Sequence, residues 1–252
     1  MKVSIITVCY NRVATIEKAI RSVLEQNYSD IEYIVIDGNS TDGTQTVIEQ
    51  YGHQLAKYVS EPDKGMYDAI NKGLTLATGE IVGLVHSDDE LFDTNVIAKI
   101  VEQFQENNAI HVVYGDGIYV SNSQPNQIVR NRIGGPFSIK KLKSGWLPLH
   151  PTVYIKRSEI QRLGNYSLDY KIASDTDFLL RYLYLHRLPV AYLNAYIIRM
   201  RVGGLSTSKS RAIEVLKEDY KIYKNFGLPA FKVVLQKKAR TAFQYIHSKL
   251  SK

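Results

Sequence analysis

The sequence predicts an α/β protein: a Rossmann-like, mostly parallel sheet with helices on both faces, followed by a helical C-terminal tail. Three observations predict it. Strand-like apolar runs alternate with helix-like amphipathic runs through the first 120 residues. Each of the first four strands ends in a polar turn, and three of those turns carry aspartate. After Asp219 the composition changes, with eight Lys/Arg and no acid.

The strands and helices follow in order. VSIITVCY (3–10) is nearly continuous in apolar character, as in a strand buried on both faces. Residues 14–26 place Ile16, Ala19, Ile20, Val23 and Leu24 on one helical stripe. IEYIVID (31–37) is a second strand, and 41–51 a helix with Thr41 as its expected N-cap. KYVSE (57–61), a helix over 66–77, a strand over 80–85, a helix over 95–105 and a strand over 111–120 complete this half. Beyond it the pattern loosens: 121–127 is turn-rich and 133–138 is a Gly/Pro loop. A strand over 152–156, helices over 158–164 and 175–186, a strand over 190–202 and a loop over 203–208 follow. Residues 210–252 read as helical. The expected organisation is a main domain over 1–208, in two halves (1–120 and 121–208), and a basic helical extension over 209–252.

Composition excludes several classes. The single cysteine, Cys9, excludes an intrachain disulfide and a cysteine-based zinc site. No apolar stretch reaches the ~18–20 residues of a membrane span. The short run at 3–10 lacks a signal-peptide cleavage site, so a cytoplasmic protein is expected. The net charge of +7 belongs to the tail, and the remainder is close to neutral. No Gly-x-Gly-x-x-Gly follows the first strand, where VCYNRVAT stands, which argues against a dinucleotide-dependent oxidoreductase.

In open α/β sheets, ligands bind beyond the carboxyl ends of the strands. Those ends are Tyr10-Asn11-Arg12, Asp37 to Ser40, Glu61 to Gly65, and His86-Ser87-Asp88-Asp89. Two adjacent carboxylates repel unless a cation sits beside them, so Asp88 and Asp89 suit Mg²⁺ or Mn²⁺ with substrate phosphates; a solvated turn capping the next helix is the alternative. Asp37 can accept hydrogen bonds from a base or ribose, while Ser40, Thr41 and Asp42 suit a turn into a helix. Lys64 and Gly65 stand at an expected helix N-terminus, a natural phosphate site, with Asn71 about two turns on. An exposed lysine and a helix-surface asparagine would explain the same residues.

The ordered set TVCYNR, DGNSTDGT, EPDKGMYDAINKG and the SDD strand end resembles the family 2 glycosyltransferases over roughly residues 1–205. The resemblance implies the A-type glycosyltransferase fold and a nucleotide-diphosphate-sugar donor, with a UDP-sugar favoured. It implies a nucleobase pocket lined by Thr7, Tyr10 and Asn11, a base contact from Asp37, and a nucleotide-binding segment through Lys64, Gly65 and Asn71. It implies metal and ribose contacts at Asp88 and Asp89, although His86 stands where the family's first aspartate is usual. The family's catalytic base matches Asp175, with Asp177 as the fallback; Ser174 replaces the usual glutamate. His150 falls on the acceptor side, and Gly203, Gly204 and Ser206 match a loop over the nucleotide.

An inverting transfer is therefore expected, from the donor to a saccharide or lipid-linked acceptor hydroxyl in cell-surface polysaccharide or glycolipid synthesis. In the tail, Phe231, Leu235, Ala239, Ala242, Ile246 and Leu250 recur at three- or four-residue spacing among lysines. That pattern suits either a peripheral helix over 229–252 on an anionic inner membrane face or a helix packed on the catalytic domain. The rival readings are a nucleotidyltransferase and a non-catalytic nucleotide- or nucleic-acid-binding protein. Nucleic acid is not expected as a partner, because it leaves the acidic strand ends unexplained.

Overall fold

A computed structural model describes residues 1–122, 127–202 and 211–250, with the side chains of 241–250 outside the description. The centre is a nine-stranded sheet. Its parallel half comprises β1 (Val3–Cys9), β2 (Ile31–Asp37), β3 (Lys57–Ser60) and β4 (Ile81–Leu84), in the order β3-β2-β1-β4. Every residue of β1 and β4 is buried, as their unbroken apolar character requires.

The two faces of β1 feed separate cores. Val3, Ile5 and Cys9 pack with α1 (Ile16–Leu24), α2 (Thr44–Glu49) and α4 (Val96–Glu106). Ile6 and Val8 pack toward α3 (Met66–Leu76) and the later helices. The period-2 alternation of the strand thus decides which helix each side chain meets. Helix α2 starts later than expected: its N-cap is Gly43 in the left-handed region, not Thr41. Asp42 makes the turn, accepting from the Thr44 N–H at 3.0 Å and the Val13 N–H at 3.1 Å.

The other half is mixed. After the two-residue strand β5 (Glu90–Leu91) come β6 (Val112–Val120), β7 (Ile128–Arg132), β8 (Tyr154–Lys156) and β9 (Val190–Arg201). Strand β8 inserts antiparallel between β4 and β6, and β6 pairs parallel with β9. Strands β5 and β7 and the short α5 (Ile139–Lys143) were not expected from the sequence.

Helix α6 (Arg157–Leu163) follows β8. The helix expected over 175–186 is α7 (Ser174–Leu180), continued by a π-helical segment at Arg181–Leu185. The tail is two helices, α8 (Ala212–Asn225) and α9 (Ala230–Leu250). They are broken where Gly227 adopts φ 69° two residues before Pro229. Ile222, Tyr223 and Val233 bury into the core shared with α3 and α7, so this end of the tail packs on the sheet domain.

Candidate active site

Parallel register brings the expected strand ends together. Cys9 pairs with Asp37, Asp37 with Ser60, and Ile6 with Leu84. The turns after β1, β2, β3 and β4 therefore share one edge.

Most polar groups expected at the nucleobase side are committed to one another. Thr7 is fully buried and its hydroxyl shares a 2.9 Å hydrogen bond with that of Tyr33, on the face away from α3. Asn11, at φ 53°, ties the first two turns: its N–H donates to Ser40 Oγ at 2.7 Å, and its Oδ1 accepts from the Thr41 N–H at 2.9 Å. Asp37 is fully buried. Its carboxylate accepts from the Ser40 N–H at 2.9 Å, the Ser40 hydroxyl, the Ser60 hydroxyl at 2.6 Å and the Cys9 thiol at 3.5 Å. Burial pushes this carboxyl up, but the Ser40 and Ser60 donors outweigh it and hold it below the ordinary range. In this structure Asp37 braces three strand ends and has no oxygen left for a base.

What faces outward there is Tyr10, 58% exposed, beside Gly38 and Asp63. A Cβ on Gly38 would come within 2.4 Å of Asp63 Oδ2 and 3.3 Å of the Tyr10 ring, so a side chain at 38 would displace that carboxylate. Asp63 escaped the sequence reading; the signal was its place in a Pro-Asp-Lys-Gly turn opposite a strand-end glycine.

The start of α3 is also occupied. The Lys64 N–H donates to Asp68 at 3.0 Å and the Gly65 N–H to Asp63 at 2.7 Å. Gly65, at φ 119°, is the N-cap. Two carboxylates thus stand where a phosphate was expected; the turn carries the Lys64 side chain, and Lys72 reaches it through Pro62 O and Glu61, each at 2.8 Å. Asn71 is committed too: its amide donates to Tyr166 O at 2.9 Å and accepts from the Tyr166 N–H at 3.0 Å, pinning the segment before α7.

The fourth strand end differs. The Asp89 N–H closes a turn onto His86 O at 3.0 Å. Asp89 is 2% exposed, and its Oδ2 has no hydrogen-bond partner among the described residues. Burial first, then Asp88 and Glu90, push its carboxyl well above the ordinary range. A buried, unpartnered carboxylate oxygen beside two other acids is a place for a cation. Asp88 is half-buried at the mouth of the same turn. Among the described residues no three His, Cys, Asp or Glu side chains form a complete cage, so this pair would need oxygens from a ligand to finish a coordination shell.

From this turn a chain of rings leads to α7. His86 lies 6.0 Å from His150, ring to ring. His150 Nε2 hydrogen-bonds the Tyr166 hydroxyl at 2.7 Å, and Tyr166 stacks on Tyr67 at 5.7 Å. The Tyr67 hydroxyl donates to Ile172 O at 2.6 Å and accepts from the Asp175 N–H at 3.4 Å. Burial drives His150 down to about 3, so it is neutral at pH 7 and braces Tyr166. Burial lowers His86 against the opposing pull of Asp88 and Asp175.

Asp175 itself is half-buried, accepts from the Thr176 N–H at 2.8 Å, and is pushed up mainly by burial. Asp177, the alternative catalytic carboxylate, is instead ion-paired with Arg181 at 3.1 Å. Gly203, Gly204 and Ser206 lie outside the described residues.

The sequence model of glycosyl transferase family 2 matches residues 4–168 of the chain. The chain belongs to that family. It is a glycosyltransferase, and the match ends before Asp175. An uncharacterised glycosyltransferase of Mycobacterium tuberculosis is 32% identical over 183 residues, covering 71% of this chain and 68% of the relative. A PGL/p-HBAD biosynthesis glycosyltransferase of Mycobacterium bovis is 28% identical over 209 residues, covering 81% and 79%. Among solved structures, Staphylococcus aureus TarS in complex with UDP-GlcNAc superposes with a TM-score of 0.73 at 18% identity, covering 94% of this family 2 chain and 71% of that one. The chain spans 39% of a longer TarS structure. A Pyrobaculum calidifontis mannosyltransferase in complex with GDP-Man and Mn²⁺ gives 0.68 at 20% identity, covering 98% and 71%. These likenesses establish the A-type glycosyltransferase fold.

Proposed function

We propose that this family 2 enzyme is an inverting transferase that moves a sugar from a nucleotide-diphosphate sugar, with UDP favoured, to an acceptor hydroxyl. The observation that carries this is the turn after β4, where Asp89 Oδ2 is buried with no hydrogen-bond partner among the described residues, and where His86 lies within the electrostatic reach of both Asp88 and Asp175. The donor set fits a hard divalent cation, Mg²⁺ or Mn²⁺, held by Asp89 and Asp88. Such an ion, when bound, supplies positive charge to the leaving diphosphate. Tyr10 offers an exposed ring at the nucleobase side, and Lys64 a cation at the phosphate side.

Asp175 removes the proton from the acceptor hydroxyl as that oxygen bonds to the anomeric carbon and the bond to the diphosphate oxygen breaks. His150 and Tyr166 shape the acceptor side without exchanging protons near neutral pH. Asp175→Asn is expected to abolish transfer while nucleotide affinity stays unchanged. Near-wild-type transfer by that variant, or retention of anomeric configuration, would overturn the assignment.

A lipid-linked acceptor at the cytoplasmic face of a membrane suits the extension. Lys237 and Arg240 turn inward, to Asp219 at 2.7 Å and Ser144 Oγ at 2.9 Å, and so leave the basic face. Among the described residues of the extension, the large exposed apolar side chains are Phe231 and Leu235 of α9 with Ile213 and Tyr220 of α8, among exposed Lys217, Lys221, Lys232 and Lys238; the side chains of Ala242, Ile246 and Leu250 lie outside the description. No helix of the described residues is long and apolar enough to cross a membrane. Phe231→Glu/Leu235→Glu is expected to abolish flotation with phosphatidylglycerol vesicles. Flotation equal to wild type would remove the membrane from the account.

A further inference from the structure

Several of the residues around the candidate base come from the C-terminal extension, which lies beyond the family match. Helix α8 presents two adjacent acids to α7. Glu218 gathers the backbone just ahead of it: Oε1 accepts from the Lys171 N–H at 2.8 Å, and Oε2 from the Ile172 N–H at 3.0 Å and the Ala173 N–H at 2.8 Å. Ala173 is the N-cap of α7. One carboxylate therefore fixes three consecutive N–H groups two to four residues before Asp175, each a charge-assisted bond.

Asp219 is 1% exposed and pairs with Lys237 of α9 at 2.7 and 2.9 Å. Thr176, the residue after Asp175, meets both: its hydroxyl lies 3.4 Å from Asp219 Oδ1 and 3.4 Å from Lys237 Nζ. The backbone before the base and the side chain after it are thus tied to the same helical pair.

We propose that Glu218, Asp219 and Lys237 are positioning residues for Asp175, the extension acting as a brace that fixes α7 and sets a positive charge behind the base. This rests on the reading of Asp175 as the base. The groups that act on it come from every neighbouring element: Tyr67 of α3, His86 after β4, Tyr166 before α7, Tyr223 of α8 and Lys237 of α9. Burial pushes Asp175 up, and Lys237 is the largest opposing influence, ahead of the Thr176 N–H and His86. Lys237 therefore favours the ionised form of the base against the burial that favours its protonated form.

The test uses the full chain, Lys237→Met, and the double variant Lys237→Met/Asp219→Asn. The double variant removes the pair without leaving a buried carboxylate alone. UDP-GlcNAc hydrolysis or transfer is followed from pH 5 to 9, with UDP affinity by calorimetry and folding by circular dichroism. The expected result is an acid limb of kcat/KM shifted alkaline by about one pH unit, a loss of about tenfold at the acid end that is recovered by pH 9, and unchanged UDP affinity. Glu218→Gln should lower kcat without moving the limb or the UDP affinity.

An acid limb at the wild-type pH in whichever of the two Lys237 variants folds would overturn the proposal, and so would full activity of Glu218→Gln. Failure of the base assignment is separable, because it appears as activity in Asp175→Asn. If both Lys237 variants unfold, Lys237 serves stability and the proposal fails as stated.

Discussion

Replacing Asp37 by Asn separates two roles that the residue type alone allows. Asp37 is isosteric with Asn, so packing is preserved and the change falls on its hydrogen bonds. One oxygen accepts from the Ser40 N–H and the Ser60 hydroxyl, the other from the Ser40 hydroxyl and the Cys9 thiol. An amide must turn its NH₂ toward one of these pairs. The Ser40 N–H cannot reverse, so the amide oxygen stays there and the NH₂ faces the Ser40 hydroxyl, which already accepts from the Asn11 N–H. The Ser40 hydroxyl loses its acceptor, the Cys9 thiol is left with Ile36 O at 3.7 Å, and the remaining bonds lose their charge. At about 1–3 kcal/mol for an unsatisfied buried group, with a further loss from charge-assisted bonds, the total is about 3 kcal/mol. For a chain of this size that is a fall in Tm of roughly 6–12 °C.

The sign of the pH dependence follows from the same contacts. Asp37 is held below its ordinary pKa in the folded state, so its stabilisation is present above the ordinary carboxylate range. It is lost as pH falls through the folded value. The gap between wild type and Asp37→Asn in urea denaturation should be full at pH 7 and shrink below pH 4. UDP affinity should fall only as far as the loosened strand ends carry it. An unchanged Tm with UDP binding abolished would refute this reasoning and restore Asp37 as a base contact.

Three other outcomes are expected. Glu32 is buried, which pushes it up, yet donors from Ser4, Thr78 and Lys2 bring it down to about 2; Glu32→Gln should destabilise at pH 7, with the difference fading between pH 4.5 and 2 in denaturant titrations. Gly83→Ala would set a methyl within 2.1 Å of the buried Tyr154 ring, across the β4–β8 pair; a loss of about 3 kcal/mol or more is expected by thermal melting, and a wild-type Tm would contradict the packing. Asp89→Asn replaces a buried carboxyl whose Oδ2 has no hydrogen-bond partner among the described residues. It should leave Tm unchanged or raised while Mn²⁺-dependent UDP affinity falls at least about tenfold by calorimetry; a lowered Tm with intact metal dependence would place the cation elsewhere.

The parallel half was legible because strands buried on both faces read as continuous apolar runs, and α1, α3 and α4 carry clear stripes. The other half was less so. Strand β7, IVRNR, is short and partly exposed, and it exists by pairing with β6. The two-residue β5 has no local signal and is held by β9. At the site, the strand ends were readable and their convergence follows from parallel register. What was not readable was how each polar group is spent. Asn71 is committed to Tyr166, 95 residues away, and Asp37 to Ser60, 23 residues away. Asp, Asn and Thr at a strand end suit a ligand contact and an internal brace equally well, and the choice lies with distant partners. Glu218 and Lys237 look like surface charges of a basic tail until α8 and α9 are seen packed behind α7.

The measurement that bears most directly on the central claim is calorimetric titration of UDP, GDP and dTDP into the protein, each with and without Mn²⁺. The account predicts tight binding of UDP that requires Mn²⁺ and is lost in Asp88→Ala/Asp89→Ala. UDP binding that is indifferent to the metal and to that double variant, or no nucleotide binding at all, would contradict a donor site built on the turn after β4.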